Sequence, residues 1–462
     1  MDYGDLILFP VFLIILSLFF RALRNTYKDP LLKKYHRQAF WLKIFSCIAF
    51  IIYNVYLYPA DSIGLYQKEG ANIYHLILHN SNHLKWLFQK GKYFDESFLK
   101  DRFNSGYFRS EANFMVARFV ALISFVTAGR YAATSLVFAC IGFSGIWKLF
   151  LFFYEQYPHL HKRLAIAVLF FPTFVFWSSG ILKETLCIAS LGWITYSLYE
   201  MMCKKKHLVK NTFILFVFGY ILAIIKIYIL ISYVPFFILF IILRNLQRIK
   251  NNFLKYLLAP FLIISCLLVF TGFFNSFNEE LGAYAVEDVT SSIQHLNGAF
   301  KNMDGNETAD SNFDLGVEFD GTFNGLIKLA PVAVFTTFFR PFIWESHKAS
   351  QLIASLESTI LFLLTLFIIL KAGLLNFIKL ILSDPLIMYC FLFSIVFATF
   401  VGASTLNFGT LVRYKIPCLP FYIISLFLIY EKTKVKSLKK SMHIADNLAN
   451  SRERLLQPVS GL

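Results

Sequence analysis

Apolar runs of bilayer-crossing length recur along this chain, and they constrain its fold more than any other feature. A helix needs roughly 20 mostly apolar residues to cross about 30 Å of hydrocarbon. Inside lipid, a helix also pairs its own backbone polar groups. The composition agrees, because 57% of the residues are hydrophobic and only 16% are charged. The sequence therefore predicts an all-α, polytopic membrane protein.

We place eleven transmembrane helices on these runs. The predicted spans are 6–22, 40–58, 131–153, 164–180, 185–202, 211–226, 228–243, 256–274, 352–371, 385–403 and 414–430. They form one integral membrane domain, residues 1–430, and a polar cytosolic tail follows at 431–462. The first run follows MDYGD, without a basic n-region or a small-residue cleavage site. We therefore predict a retained helix rather than a signal peptide.

Basic residues give the chain a net charge of +16, which membrane topology explains without a nucleic-acid partner. Under the eleven-span assignment, every basic cluster falls on the cytoplasmic side. These clusters are 21–43, 159–163, 204–210, 244–255, 371–379 and 432–440. The N-terminus is then outside and the C-terminus is cytoplasmic.

Two further apolar segments, 113–128 and 326–339, must not span for this arrangement to hold. Each is short and contains a charge or a proline, so we predict interfacial helices at the outer surface. They belong to two outer loops, about 59–130 and 275–351, which hold most of the polar residues predicted outside the membrane.

Charged residues lie at the outer ends of several predicted spans. Asp61 follows the second span, while Lys183 and Glu184 interrupt the apolar stretch FPTFVFWSSGILKETLCIASLGW at the turn between the fourth and fifth. Lys226 in IIKIYIL separates the short sixth and seventh spans. Charges at bilayer depth are costly and usually face a cavity or a partner. We expect these residues to meet at the outer rim of the protein.

Two arginines extend this set. Arg340 in FFRPFIWE precedes the ninth span, and Arg413 in LNFGTLVRYKIPCLP precedes the last. A cluster of Lys and Arg suits a lipid-linked phosphate, because Arg offers a planar fork of donors and Lys a compact charge. The candidate substrate- and phosphate-binding residues are Lys183, Glu184, Lys226, Tyr228, Arg340, Glu345, Arg413 and Tyr414.

Asp61 is the candidate catalytic residue. A hydroxyl nucleophile that attacks an activated sugar loses its proton as the bond forms, and a positioned carboxylate can accept that proton. The rim cations or a divalent metal would neutralise the departing lipid phosphate.

Each of these residues also has a purely structural interpretation. Asp61 in PADS could cap a helix, since Asp is a common N-terminal residue. Lys183 and Glu184 could form a local ion pair that closes a tight turn. Arg340 and Arg413 could mark the headgroup boundary, and Glu345 beside Trp344 could be part of an interfacial anchor.

Metal and disulfide chemistry are not indicated. His75, His79 and His83 have helical spacing, but NSN separates the last two and no carboxylate falls in register, so we predict no metal site there. The seven cysteines include no CxxC pair and fall in spans or at their inner edge.

Several motifs together resemble the GT-C membrane glycosyltransferases: ADSIGLY after an early span, FPTFVFWSSGILKE, the short pair around KIY, and the late VRYKIPCLPF. The resemblance covers residues from about 40 to 430. It implies transfer of a sugar from a polyprenyl-phosphate or polyprenyl-pyrophosphate donor to a glycan or lipid-linked acceptor, at the outer face of a bacterial cytoplasmic membrane. The catalytic carboxylate of that family would correspond to Asp61. An extra leading span and the absence of an adjacent acidic pair depart from the pattern and put metal dependence in doubt.

Two other functions remain open. FWSSGILKE and FFRPFIWE also resemble segments of O-antigen polymerase-like proteins of surface-polysaccharide loci, and a polymerase would use the same cations without a base in the first outer loop. A flippase of lipid-linked sugars is the third alternative. Against it, the sequence has no inverted repeat and no broken helix pair in corresponding positions.

Overall fold

The computed structural model describes residues 3–58, 61–101, 104, 106–247, 313, 315–316, 323–346 and 349–456. Most of these residues are helical, and no strand occurs among them. The predicted all-α class is confirmed. The predicted span 256–274 lies outside the described residues.

Fifteen α-helices are numbered here within those ranges. They are α1 (Tyr3–Asn25), α2 (Pro30–Ile52), α3 (Lys68–His79), α4 (Glu111–Thr127), α5 (Tyr131–Tyr154), α6 (His161–Leu169), α7 (Pro172–Trp177), α8 (Lys183–Tyr199), α9 (Leu208–Leu246), α10 (Phe323–Phe339), α11 (Ala349–Ala372), α12 (Leu374–Ser383), α13 (Pro385–Ser404), α14 (Phe408–Tyr414) and α15 (Leu419–Leu456). Short turns of other helix types join several of them, including a π-helical turn at Asp61–Gln67.

Six helices in the described residues are long and apolar enough to cross a membrane. A seventh is obtained if α14 and the first part of α15, which meet at 66°, count as one bent span. The protein is therefore a helical membrane protein. Within the described residues the predicted number of eleven spans is not confirmed, because two predicted spans lie in the one bent helix α9 and others are shorter helices.

The predicted spans 164–180 and 185–202 form one such set of short helices. Helix α6 ends at Leu169, and α7 begins at Pro172, a residue suited to the first turn of a helix but not to its interior. The chain then reverses beside the middle of α5, where a Cβ on Gly142 would lie 2.7 Å from the Ser178 carbonyl oxygen. Lys43 Nζ donates to Ser178 Oγ at 2.6 Å and holds this reversal in place.

Helix α9 folds back on itself at Lys226, whose φ of −152° and ψ of 78° are not helical. The Phe218 ring, before the bend, stacks on Trp193 of α8 at 5.7 Å. After the bend, Tyr233 Oη donates to Thr195 Oγ1 of α8 at 2.8 Å. Both limbs therefore run along α8, and they contain the predicted spans 211–226 and 228–243 with Lys226 at the turn between them.

The two segments predicted to be interfacial are helices α4 and α10, and both pack into the protein. The Arg118 side chain of α4 is only 6% exposed and donates to Glu111 Oε1 at 2.6 Å. Thr337 Oγ1 of α10 donates to the Ala398 carbonyl of α13 at 2.9 Å. An interfacial position in a bilayer stays a prediction for both segments.

Basic residues gather at one end of the helix bundle, called the basic end here. There, Lys204 pairs with Glu155 after α5, and Lys432 pairs with Asp384 before α13 at 2.7 Å. The opposite end, called the loop end, holds the described residues between 61 and 130 and the starts of α1 and α5. The orientation of the two ends relative to the membrane stays a prediction.

The region predicted as a separate polar tail continues the last helix. Helix α15 runs without a break from Leu419 to Leu456, a length of about 57 Å at 1.5 Å per residue. That length exceeds the thickness of a bilayer core. The helix therefore extends well past the apolar bundle.

Candidate functional site

Four segments that are distant in sequence bring charged side chains together between the loop end and the middle of the bundle. Asp61 begins the π-helical turn after α2, and Glu184 lies in the first turn of α8. Lys226 lies at the bend of α9, and Arg413 lies in the last turn of α14. All four are residues that the sequence analysis selected. We call these four residues the charge cluster.

Arg413 links the two carboxylates of the charge cluster. Its Nη1 donates to Asp61 Oδ2 at 3.0 Å, and its Nε lies 3.6 Å from Glu184 Oε1. The Nε atom is buried and has no hydrogen-bond partner within the described residues. A buried guanidinium donor without a partner is costly, so this atom is suited to an added acceptor.

Lys226 and Glu184 form the buried half of the charge cluster. Lys226 Nζ donates to Glu184 Oε1 at 2.7 Å, and the two side chains are 5% and 1% exposed. The Lys226 Nζ also lies 3.7 Å from the centre of the Tyr414 ring, a close cation–π contact. Lys226 and Glu184 are therefore buried, whereas the sequence analysis expected them at an exposed outer rim.

Two more predicted residues adjoin this pair. Lys183 interacts electrostatically with Lys226, Glu184 and Asp61. Tyr228, two residues beyond the α9 bend, stacks its ring on Phe397 at 5.7 Å and 22°. The structure thus brings together seven of the nine predicted site residues: Asp61, Lys183, Glu184, Lys226, Tyr228, Arg413 and Tyr414.

Asp61 is the most accessible member, with 35% of its side chain exposed against 19% for Arg413. Tyr66 and Tyr107 are close enough to interact electrostatically with Asp61 and Arg413. Burial raises the pKa of Tyr66 well above its ordinary value of 10, and the charge of Asp61 raises it further. Burial and Asp61 also raise the pKa of Tyr107. Both hydroxyls therefore stay protonated at neutral pH, and that of Tyr66 donates to Asn113 Oδ1 at 3.3 Å.

The sequence analysis missed Tyr66 and Tyr107. Tyr66 lies in the same short helical segment as Asp61, so a helix predicted over residues 61–67 would have placed it near Asp61. Tyr107 lies in a short 3-10 turn before α4, and its sequence neighbourhood gives no comparable signal.

Arg340 and Glu345 form a separate ion pair. Arg340 Nη2 donates to Glu345 Oε1 at 2.5 Å, and the guanidinium lies 5.1 Å from the centre of the Phe408 ring. Within the described residues, neither side chain forms a hydrogen bond or ion pair with the charge cluster. The link to it is indirect, because Lys415, next to Tyr414, donates to the Arg340 carbonyl at 3.3 Å.

The structural alternatives can now be compared with the contacts. The recorded partner of the Asp61 carboxylate is the Arg413 side chain, rather than a backbone N–H as in a helix cap. The ion-pair partners of Glu184 are Lys226 and Arg413, so the alternative of a local pair with Lys183 is wrong.

In the described ranges, no group of three or more His, Cys, Asp or Glu side chains is placed to hold a metal ion. The ring of His83 stacks on Trp86 at 4.2 Å, which gives it a packing role. Six cysteines lie in the described residues and all are free thiols, whereas Cys266 falls outside them.

No family model matches the chain, and no similar protein was found among curated proteins or solved structures. The fold and site define a helical membrane protein with a mostly buried cluster of ion pairs. Its chemistry has to be argued from its own residues.

Proposed function

We propose that this protein is a membrane glycosyltransferase. It moves a sugar from a polyprenyl-phosphate or polyprenyl-pyrophosphate donor to a glycan or lipid-linked acceptor, at the outer face of a bacterial cytoplasmic membrane. The observation that carries this proposal is the Arg413 guanidinium, which joins the accessible Asp61 to the buried Glu184.

The net charge of the site supports binding of an anionic, lipid-linked sugar donor. The charge cluster together with Lys183 contains three cations and two carboxylates, which leaves one net positive charge. The Arg413 guanidinium, whose side chain is 19% exposed, adds N–H donors that match phosphate oxygens. A cation that is already in position stabilises the charge that grows on the leaving phosphate without further reorganisation.

Asp61 supports the proton-transfer half of the reaction. Its carboxylate is partly exposed and therefore open to an acceptor hydroxyl, whereas Glu184 is almost fully buried. In this proposal Asp61 removes the proton of the acceptor. Glu184 and Lys226 act as positioning residues that hold Arg413 and Tyr414.

The distribution of basic residues supports the proposed side of the membrane. Lys204, Arg163, Arg244 and Lys432 lie at the basic end, and cytoplasmic segments are enriched in Lys and Arg. In the proposal, the basic end is cytoplasmic and the charge cluster opens to the outer face. A role in cell-surface polysaccharide synthesis goes with that location.

A polysaccharide polymerase is the second candidate, and one observation favours it. Asp61 is already in an ion pair with Arg413, as it would be if it only held that cation in place. In a polymerase, the cations would orient two lipid-linked repeat units, and no base at position 61 would be essential.

Analysis of lipid-linked glycans tests the proposal. Cells that lack the gene are compared with the same cells carrying the wild-type gene or the Asp61→Asn variant. An intermediate that lacks one sugar, present in both the deletion and the variant, is the expected result. Unpolymerised single units would overturn the proposal in favour of a polymerase, and accumulation in the inner leaflet would do so in favour of a flippase.

A further inference from the structure

A second site lies at the basic end, far from the charge cluster. Helices α1 and α2 enclose a cleft of about 270 Å³ near the turn that joins them. The lining residues that matter here are Ser17, Leu18, Arg21, Arg24, Arg37 and Trp41. Nothing in the proposed transfer reaction uses this cleft.

Three arginines make the cleft strongly basic, and no carboxylate lines it. None of Arg21, Arg24 and Arg37 has an ion pair within the described part of the chain. The acidic residue closest in sequence, Asp29, accepts hydrogen bonds from the Leu31 amide at 2.8 Å and from the Tyr154 hydroxyl at 2.5 Å. Three guanidinium groups are thus held around one cleft without an acidic partner.

The cleft also has an apolar edge on the outside of the bundle. Leu18 is 58% exposed and Trp41 is 51% exposed, and both lie in helices that are candidate membrane spans. Trp is enriched at the level of lipid headgroups, where basic residues also collect. The Ser17 hydroxyl has no hydrogen-bond partner within the described residues, so it is available as a further donor.

We infer that this cleft binds the phosphodiester headgroup of an anionic membrane phospholipid, with the acyl chains lying along Leu18 and Trp41. Arginine forks match phosphate oxygens. Basic pockets between membrane helices on the cytoplasmic side are suited to such headgroups. A free phosphate ion would match the arginines equally well, but it would gain nothing from the apolar edge.

Lipid titration by native mass spectrometry of the detergent-solubilised full-length protein tests the site. The probes are phosphatidylglycerol, phosphatidylcholine and inorganic phosphate. The test variant replaces Arg21, Arg24 and Arg37 with Gln. Each basic residue near an anionic headgroup contributes about fivefold in affinity, so the test variant is expected to bind phosphatidylglycerol on the order of 100-fold more weakly.

The matched control replaces Lys28, Lys33 and Lys34 with Gln. It removes the same charge at the same end, outside the cleft lining, and is expected to keep wild-type affinity for phosphatidylglycerol. A second variant, Ser17→Phe, keeps all three arginines and fills the cleft, and it is also expected to lose binding. This variant separates a shaped site from a general attraction by positive charge.

Three outcomes would overturn the inference. Equal binding by the arginine variant and the lysine control would mean that only total charge matters. Equal affinity of the wild-type protein for phosphatidylcholine would exclude recognition of the anionic headgroup. Displacement of phosphatidylglycerol by inorganic phosphate at equal concentration would identify a site for free phosphate instead of a lipid site.

Discussion

Arg413 and Asp61 lie 352 positions apart in sequence, and a 3.0 Å hydrogen bond between Nη1 and Oδ2 joins them. The bond ties the short helix α14 to the π-helical turn Asp61–Gln67. Through the same guanidinium, α14 also approaches Glu184 of α8. The charge cluster therefore exists only when the early and late parts of the chain have packed together.

Substitution of Asp61 tests its role as a base. Asp61→Asn keeps the size of the side chain but removes the proton acceptor, so transfer from a synthetic polyprenyl-linked donor is expected to fall by about 10²–10⁴-fold. The ion pair with Arg413 is partly exposed, so its loss should change stability by only about 0–1 kcal/mol. Thermal unfolding in detergent provides the control. A fully active variant would remove Asp61 from the reaction and favour the polymerase.

The two arginines should behave differently. Arg413→Ala is expected to abolish activity, because it removes the cation that joins Asp61 to Glu184. Arg413→Lys should recover only part of the activity, since lysine lacks the planar fork. Arg340→Ala is the matched control, because Arg340 pairs with Glu345 outside the charge cluster. Equal loss of activity in both alanine variants would show that Arg340 also contacts the substrate.

The buried pair of Glu184 and Lys226 should show strong coupling in stability. Removal of one partner leaves an unpaired buried charge, so Glu184→Leu or Lys226→Met alone should each cost about 3–5 kcal/mol. The double variant should recover most of this loss but stay inactive. Denaturant unfolding of the four proteins in detergent measures the coupling, and simple additivity of the two effects would contradict the prediction.

Two glycines in different surroundings test the packing that positions Glu184. A Cβ on Gly192 of α8 would overlap the Gly145 carbonyl of α5, whereas a Cβ on Gly219 of α9 would meet nothing within 4 Å. Gly192→Ala is therefore expected to lower the free energy of unfolding by about 1–3 kcal/mol. Gly219→Ala should be neutral or raise it by about 0.5–1 kcal/mol, since alanine favours a helix. Similar effects in the two variants would argue against close contact of α5 with α8.

Topology is tested with single cysteines in a variant whose native cysteines are replaced by alanine. A cysteine at Ser97, in the loop between α3 and α4, should react with an impermeant thiol reagent added outside the cell. A cysteine at Ser383, beside Asp384 at the basic end, should react only after the membrane is opened. Labelling of both positions from the same side would contradict the proposed outer location of the charge cluster.

The sequence was sufficient to predict the helical class and all four members of the charge cluster. Both predictions depend on the cost of placing polar groups in lipid. This cost explains why the sequence has long apolar runs and why the few charges that interrupt them stand out. Asp61, Glu184, Lys226 and Arg413 stood out for this reason. The bend at Lys226 was predicted because a charge separated two short apolar runs.

The partners of the charged residues, and their depth in the bundle, could not be predicted from the sequence in the same way. The choice of Lys226 over Lys183 as the partner of Glu184 depends on how α9 packs against α8, which sequence spacing does not specify. The turn between the predicted fourth and fifth spans was expected at the outer rim, and its depth beside Gly142 was missed because helices that turn midway are as apolar as complete spans. Arg340 is different, since its partner Glu345 lies only five residues away and local spacing could have suggested the pair.

The position of Lys226 at the bend of α9 has a consequence for how the protein enters the membrane. Charges buried inside a membrane protein are costly and usually pair with one another, and Glu184 at the start of α8 has only 1% of its side chain exposed, so α8 carries an unpaired charge when it emerges alone. The lysine that offsets the cost lies 42 residues later. We therefore expect α8 and both limbs of α9 to remain at the insertion machinery together and to enter the lipid as one unit, with the ion pair already formed.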